Sequence, residues 1–176
     1  MKLLLVLFAF TLPLFAKTKK EVKAIAGGKH DRANLIEELS IFGNAREYEA
    51  KIVITNAQGE MKPDPFIVKE KTVAGKYIVS EFKTANVEVN IIVTYDKKMK
   101  LYRKWVIASA NDDVLEFVGN RQDKAMTWTR VDEKMPKDQV ELHIEVHHKD
   151  RVEWSEFYYN KKEFMYSVKG VATKVK

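Results

Sequence analysis

Cysteine is absent from all 176 residues. Disulfides, thiolate metal sites and thiol catalysis are therefore excluded, and the fold has to hold through its core alone. Proline and glycine are scarce, at 4 and 7 residues, which excludes collagen-like and low-complexity chains. Easily seen catalytic signatures are missing too. Ser80, Ser109, Ser155 and Ser167 stand in no Gly-x-Ser-x-Gly elbow, and the pair Gly27-Gly28 is too little for a phosphate-binding loop. Carboxylates are numerous but scattered, and no spacing pairs two of them as glycosidase chemistry requires. No catalytic residue is assigned.

What is present is globular. An apolar fraction of 45% with 11% aromatics supports a packed core, and the length suits one domain. The formal charge is +6, but basic and acidic residues interleave, as in Lys69-Glu70-Lys71 and Lys161-Lys162-Glu163. That pattern predicts a solvated, mixed-sign surface. A nucleic-acid partner is not expected, because no basic stripe with stacking aromatics occurs.

The N-terminus is the most informative segment. Lys2 supplies a short positive region, an apolar run follows from Leu3 to Phe15, and Ala16 offers the small residue that a signal peptidase needs. The run is short for a membrane-spanning helix across a core of about 30 Å, and Pro13 favours an extended cleavage region. Residues 1–16 are thus expected to be a cleaved signal peptide, residues 17–45 an N-terminal segment with a short helix, and residues 46–176 a β-barrel domain. Leu14, where a smaller residue is preferred, and Lys17, Lys19 and Lys20 after the cut keep an uncleaved anchor as the alternative. A periplasmic or secreted location follows as an expectation, without lipobox cysteine and without stable membrane insertion after cleavage.

Downstream, Leu35, Ile36, Leu39 and Phe42 recur at helical spacing, with Asn34 or Asp31 as cap and Gly43-Asn44 as stop. One short amphipathic helix is predicted over 34–41, and no other stretch is convincingly helical. From Arg46 the period changes to two. Strands are predicted over 49–55, 67–72, 76–83, 87–95, 101–108, 114–119, 125–131, 139–147, 151–159 and 163–172, separated by turn-forming residues. The longest link, 56–66, carries Pro63 and Pro65 and reads as turn and loop.

Nine or ten short strands joined by tight turns predict an all-β fold, an antiparallel up-and-down lipocalin-like barrel. Closure removes the two sheet edges that would otherwise stay unpaired. A Greek-key sandwich is the alternative, disfavoured because it needs a long return connection.

The run from Val93 through Tyr95-Asp96 and Tyr102 to Trp105, then Glu116-Phe117-Val118-Gly119, Met126-Thr127-Trp128-Thr129 and Val152-Glu153-Trp154-Ser155 resembles a bacterial exported family, the domain of unknown function numbered fifteen-seventy-nine. The likeness covers about residues 46 to 172 and implies a lipocalin-like (calycin) barrel. Two positions depart from its pattern. An opening Gly-Thr-Trp is replaced by Asn44-Ala45-Arg46-Glu47-Tyr48, and the last turn has Asn160-Lys161-Lys162 where Asp-Gly is expected. The family carries over no catalytic residues.

His143, Glu145 and His147 share one face of a predicted strand. Positions four apart on a strand are about 13 Å from each other, too far for one metal ion, and with Glu141 they read as a solvent-facing polar stripe opposite Val140, Leu142, Ile144 and Val146. No metal site is expected, and no haem, which would need a histidine projecting into an apolar lumen. Aromatics carry the remaining signal. Tyr95, Trp105, Trp128, Trp154 and Tyr166 are the candidates to line a lumen for a small apolar or amphipathic ligand. Core filling is the competing role, and the sequence leaves open whether the Trp128 phase or the Trp105 phase faces inward.

The expected function is binding of a small hydrophobic ligand inside the barrel, without catalysis and without a cofactor. A structural or protein-interaction module with a solid core, and a cofactor-free enzyme such as an isomerase, are the alternatives. The interior separates them: an apolar cavity, no cavity, or buried carboxylate or Tyr pairs, respectively. The export reading carries its own test. Mass spectrometry of the exported protein is expected to give an N-terminus at Lys17, and a mature chain beginning at Met1 would make residues 1–16 an anchor.

Overall fold

Each strand of the barrel wall pairs with the wall strand before it and the one after it, and the last returns to the first. The computed structural model describes residues 18–29, 35–42, 46–110, 113–131, 136 and 138–175. The proposed signal segment, Asp31, Asn34 and Gly43-Asn44 lie outside them. Among the described residues eleven strands are formed: β1 (Glu47–Asn56), β2 (Gly59–Met61), β3 (Phe66–Val73), β4 (Tyr77–Lys83), β5 (Glu88–Asp96), β6 (Leu101–Ala108), β7 (Val114–Gln122), β8 (Ala125–Arg130), β9 (Gln139–His147), β10 (Arg151–Asn160) and β11 (Glu163–Lys174). All pairs are antiparallel. Closure is made by β1 on β11 over a long register running from Tyr48 opposite Lys174 to Asn56 opposite Tyr166.

Ten strands make the barrel wall. The eleventh, β2, pairs only with the end of β1, Ile54 to Met61 through Asn56 to Gly59, and so extends one hairpin beyond the rim. It lies where a turn and loop were expected, because three exposed residues carry no alternating pattern to announce a strand. The predicted all-β lipocalin-like barrel is the architecture found.

Helix placement differs from expectation. The α-helix, α1 (Lys19–Ala26), starts at Thr18, whose side chain accepts from the Glu21 backbone while Glu21 reaches back to the Thr18 backbone, a complete capping box. Its Val22 and Ala26 are buried against Val73, Val79, Ile92, Trp105 and Ile107 on the outer wall of the barrel. Full burial of Val22 is worth about 1.5–3 kcal/mol. Four apolar residues, two of them alanines, among three lysines and a glutamate make too weak a stripe to stand out. The predicted helix over 34–41 is reduced, among its described residues, to a 3-10 turn at Glu37–Leu39. Leu39 and Phe42 are nonetheless buried, packed with Ile78, Tyr102, Phe117 and Trp128, and they plug one end of the barrel. Ile36 N donates to the Gly75 carbonyl at 2.9 Å and the Tyr102 hydroxyl to the Glu38 carbonyl at 2.9 Å, which ties the plug to the rim.

The β10–β11 turn carries the strain that its composition announced. Lys161 and Lys162 both adopt positive φ, 49° and 71°, where Asn-Gly or Asp-Gly would sit without steric cost. Lys162→Gly is expected to stabilise the protein by up to about 1 kcal/mol, read as a higher midpoint in thermal melts. An unchanged or lower midpoint would count against strain at this turn.

Candidate functional site

The barrel interior holds a cavity of about 330 Å³. One part of its wall is apolar, with Ile78, Val93, Val106 and Phe117 among the contributors. The rest is ionisable, and this overturns the expected phase of one strand. On β9, Glu141 and His143 are buried while Val140 is 51% and Ile144 36% exposed. Glu141, His143, Glu145 and His147 all line the cavity. The polar face points in and the apolar face points out.

Registry explains the inversion. Barrel closure gives β9 the phase of its neighbours, and β10 sets Trp154, Glu156 and Tyr158 opposite Glu145, His143 and Glu141 on the inner face. Hydropathy alone would choose the other phase. What makes the inner one tolerable is Lys104 of β6, whose Nζ lies 3.0 Å from His143 Nδ1 and 3.0 Å from Glu145 Oε1. Lys104 also sits 4.7 Å from the Trp128 ring centroid and 4.9 Å from that of Phe117, so the ammonium is enclosed by acceptors and π faces.

A chain of alternating partners results. Lys104 meets His143 Nδ1, and the opposite ring nitrogen, Nε2, faces Glu141 Oε1 3.0 Å away. Glu141 Oε2 accepts from Arg130 at 3.0 Å. On the other side, Glu145 Oε2 faces His147 Nε2 at 3.4 Å. Burial pushes the Glu145 carboxyl up, but Lys104 and His147 outweigh it and hold it well below the usual carboxylate range. For Glu141 burial again pushes up, and His143 and Arg130 win. Tyr158 donates to Glu156 at 2.8 Å, and burial with the Glu156 charge raises its phenol far above the ordinary value.

Glu70 stands apart from this chain. It pairs with Ser80 across β3 and β4, and the Ser80 hydroxyl donates to Oε2 at a long 3.3 Å. Its Oε1 is buried and meets no hydrogen-bond partner among the described residues. Burial pushes the carboxyl up to about 7 against the lowering influence of His147 and Ser80. Among the described residues no three His, Asp or Glu side chains converge on a metal-binding position.

The five aromatic candidates separate. Trp154 lines the cavity, seated against Gly170, where a Cβ would collide with the indole. Trp128 and Tyr95 face inward but pack into the plugged end with Phe42 and Tyr102. Gly119 leaves room for Trp128 in the same way. Trp105 faces outward and is covered by α1, which settles the phase that sequence left open in favour of Trp128. Tyr166 stacks on Tyr158 with ring centroids 4.0 Å apart and stays 38% exposed. Glu70, Lys104, Glu156 and Tyr158 were not foreseen. Lys104 between Tyr102 and Val106, and Glu70 between Val68 and Thr72, interrupt apolar phases, and that interruption is the signal that would have found them.

The Glu70 environment predicts a pH dependence of stability. With the folded pKa raised above the unfolded one, the native state holds its proton longer, so stability falls as pH rises through the unfolded value and the loss is complete above about 7. Glu70→Gln is expected to match the wild type near pH 4 and to exceed it at pH 8 by up to about 3 kcal/mol, measured by urea unfolding. Equal stability at both pH values would mean that Glu70 is well solvated.

No protein-family model matches the chain, and no curated protein matches it either.

Proposed function

We propose that the protein is an exported lipocalin-like binding protein that holds a small amphipathic molecule in its barrel, without catalysis. The observation that carries this reading is the barrel cavity of about 330 Å³ with an apolar wall facing a polar one. Ligand sites are typically hollows of roughly 300–1,000 Å³, apolar in the main with a few polar groups that fix orientation. A solid interaction module has no use for such a hollow. The ionisable wall turns the expected hydrophobic ligand into one with a polar end. Export rests on residues 1–16, and with it the periplasmic or secreted location.

One observation favours a second reading. A carboxyl pushed up to about 7 by burial at a cavity wall, as Glu70 is, is what a general base in a cofactor-free isomerase requires. The two readings differ in what happens to the bound molecule, since an isomerase exchanges a ligand proton with solvent and a carrier returns it unchanged.

Native mass spectrometry of protein isolated from its own compartment is expected to show a species heavier than the bare polypeptide. Adding the ligand at about a hundred times its Kd should stabilise the fold by about 2.7 kcal/mol, and the ligand recovered from deuterium oxide should carry no deuterium at carbon. Bare polypeptide, together with no thermal shift across a lipid and aromatic panel, would remove the binding reading; deuterium at carbon would replace it with the isomerase.

A further inference from the structure

We infer that the ligand is a cation, an apolar body bearing a protonated amine whose nitrogen seats at Glu70. This rests on the binding reading above. The charges lining the interior do not balance. Four carboxylates face the cavity, Glu70, Glu141, Glu145 and Glu156, against one ammonium, Lys104, and the two histidines of the lining, His143 and His147, are each turned to a glutamate other than Glu70. That ammonium is committed to Glu145 at 3.0 Å, Arg130 is committed to Glu141 at 3.0 Å, and Glu156 receives the Tyr158 hydroxyl at 2.8 Å. Glu70 receives only the Ser80 hydroxyl at 3.3 Å, and its Oε1 is buried without a partner.

Every neighbouring group leaves that oxygen unanswered. His147 of β9 directs Nε2 to Glu145. Arg46, which precedes β1, gives its guanidinium to the Lys149 carbonyl and to Asp150 at 3.4 Å. The Tyr48 phenol, held above its ordinary value by burial and by the Glu70 charge, stays a neutral hydroxyl and brings no positive charge to the carboxylate. A buried carboxylate oxygen beside a hollow is costly until a donor reaches it, and a cationic donor answers both the missing hydrogen bond and the missing charge. An anionic head group would instead meet Glu70 and Glu145 together. Phe66 and Phe82, 4.9 Å apart by ring centroids and both lining the cavity, offer apolar surface and π faces for the body of such a molecule.

Isothermal titration of the folded full-length protein with three probes that share one body, phenethylamine, phenethyl alcohol and hydrocinnamate, tests this at pH 8. The amine is expected to bind about tenfold or more tighter than the alcohol, with the carboxylate weakest. Glu70→Gln is expected to erase the amine's advantage and leave the alcohol within about twofold. An amine no tighter than the alcohol in the wild type overturns the inference while alcohol binding keeps the carrier reading. Amine affinity unchanged in Glu70→Gln moves the cation away from Glu70 and overturns it too. No heat from any probe, with an empty lipid and aromatic panel, ends both readings.

Discussion

The seam between β1 and β11 is the constraint on which the rest of the molecule depends. Once Ala50 lies opposite Ala172 and Ile54 opposite Val168, every strand between them inherits one of two phases, and none can choose on its own composition. A shift by one residue would exchange inside and outside along a whole strand. The cavity, the polar wall and the outward apolar face of β9 are all consequences of that single closure. Without it β1 and β11 would be open edges, and the inner wall would face water.

Keeping ionised groups inside then requires internal partners. Lys104 is the hub, because its three donors face His143, Glu145 and the rings of Trp128 and Phe117. Removing one member of such a buried pair commonly costs about 3–5 kcal/mol, whereas replacing the whole set with apolar groups is often neutral or stabilising. Stability alone therefore does not account for the network. A barrel built only to be stable would fill this space with Leu and Phe, so the retained charges point to what the cavity does.

Most of the architecture was legible in the sequence, and the reason is local. Turn residues such as Asn160-Lys161-Lys162 and alternating runs such as Val89, Ile91 and Val93 are short-range signals, and all ten wall strands were found close to their observed limits. The inner surface was far less legible. For β9 the sequence offers two phases of equal regularity, and hydropathy selects Val140, Leu142, Ile144 and Val146 for the interior, because it knows nothing of a lysine on a strand three places away around the wall. Trp105 was ambiguous for a related reason, since its outer face is apolar only because α1 covers it. The helix itself was announced by Thr18 and Glu21, a capping signal weaker to the eye than the apolar spacing of Leu35, Ile36 and Leu39, which belongs to a plug.

The inside-out strand also has a colloidal side. With its polar residues turned inward, β9 offers Val140 and Ile144 to solvent, and the neighbouring hairpin adds Phe164 at 49% and Met165 at 48% exposure. Such surface makes copies of a protein adhere. Opposing it is the formal charge of +6, which acts over a Debye length of about 8 Å at physiological ionic strength and shrinks to about 3 Å at 1 M salt. Mutual repulsion among copies is thus what lets a barrel with a charged interior carry a greasy flank in dilute buffer, and the same flank becomes adhesive as salt is raised.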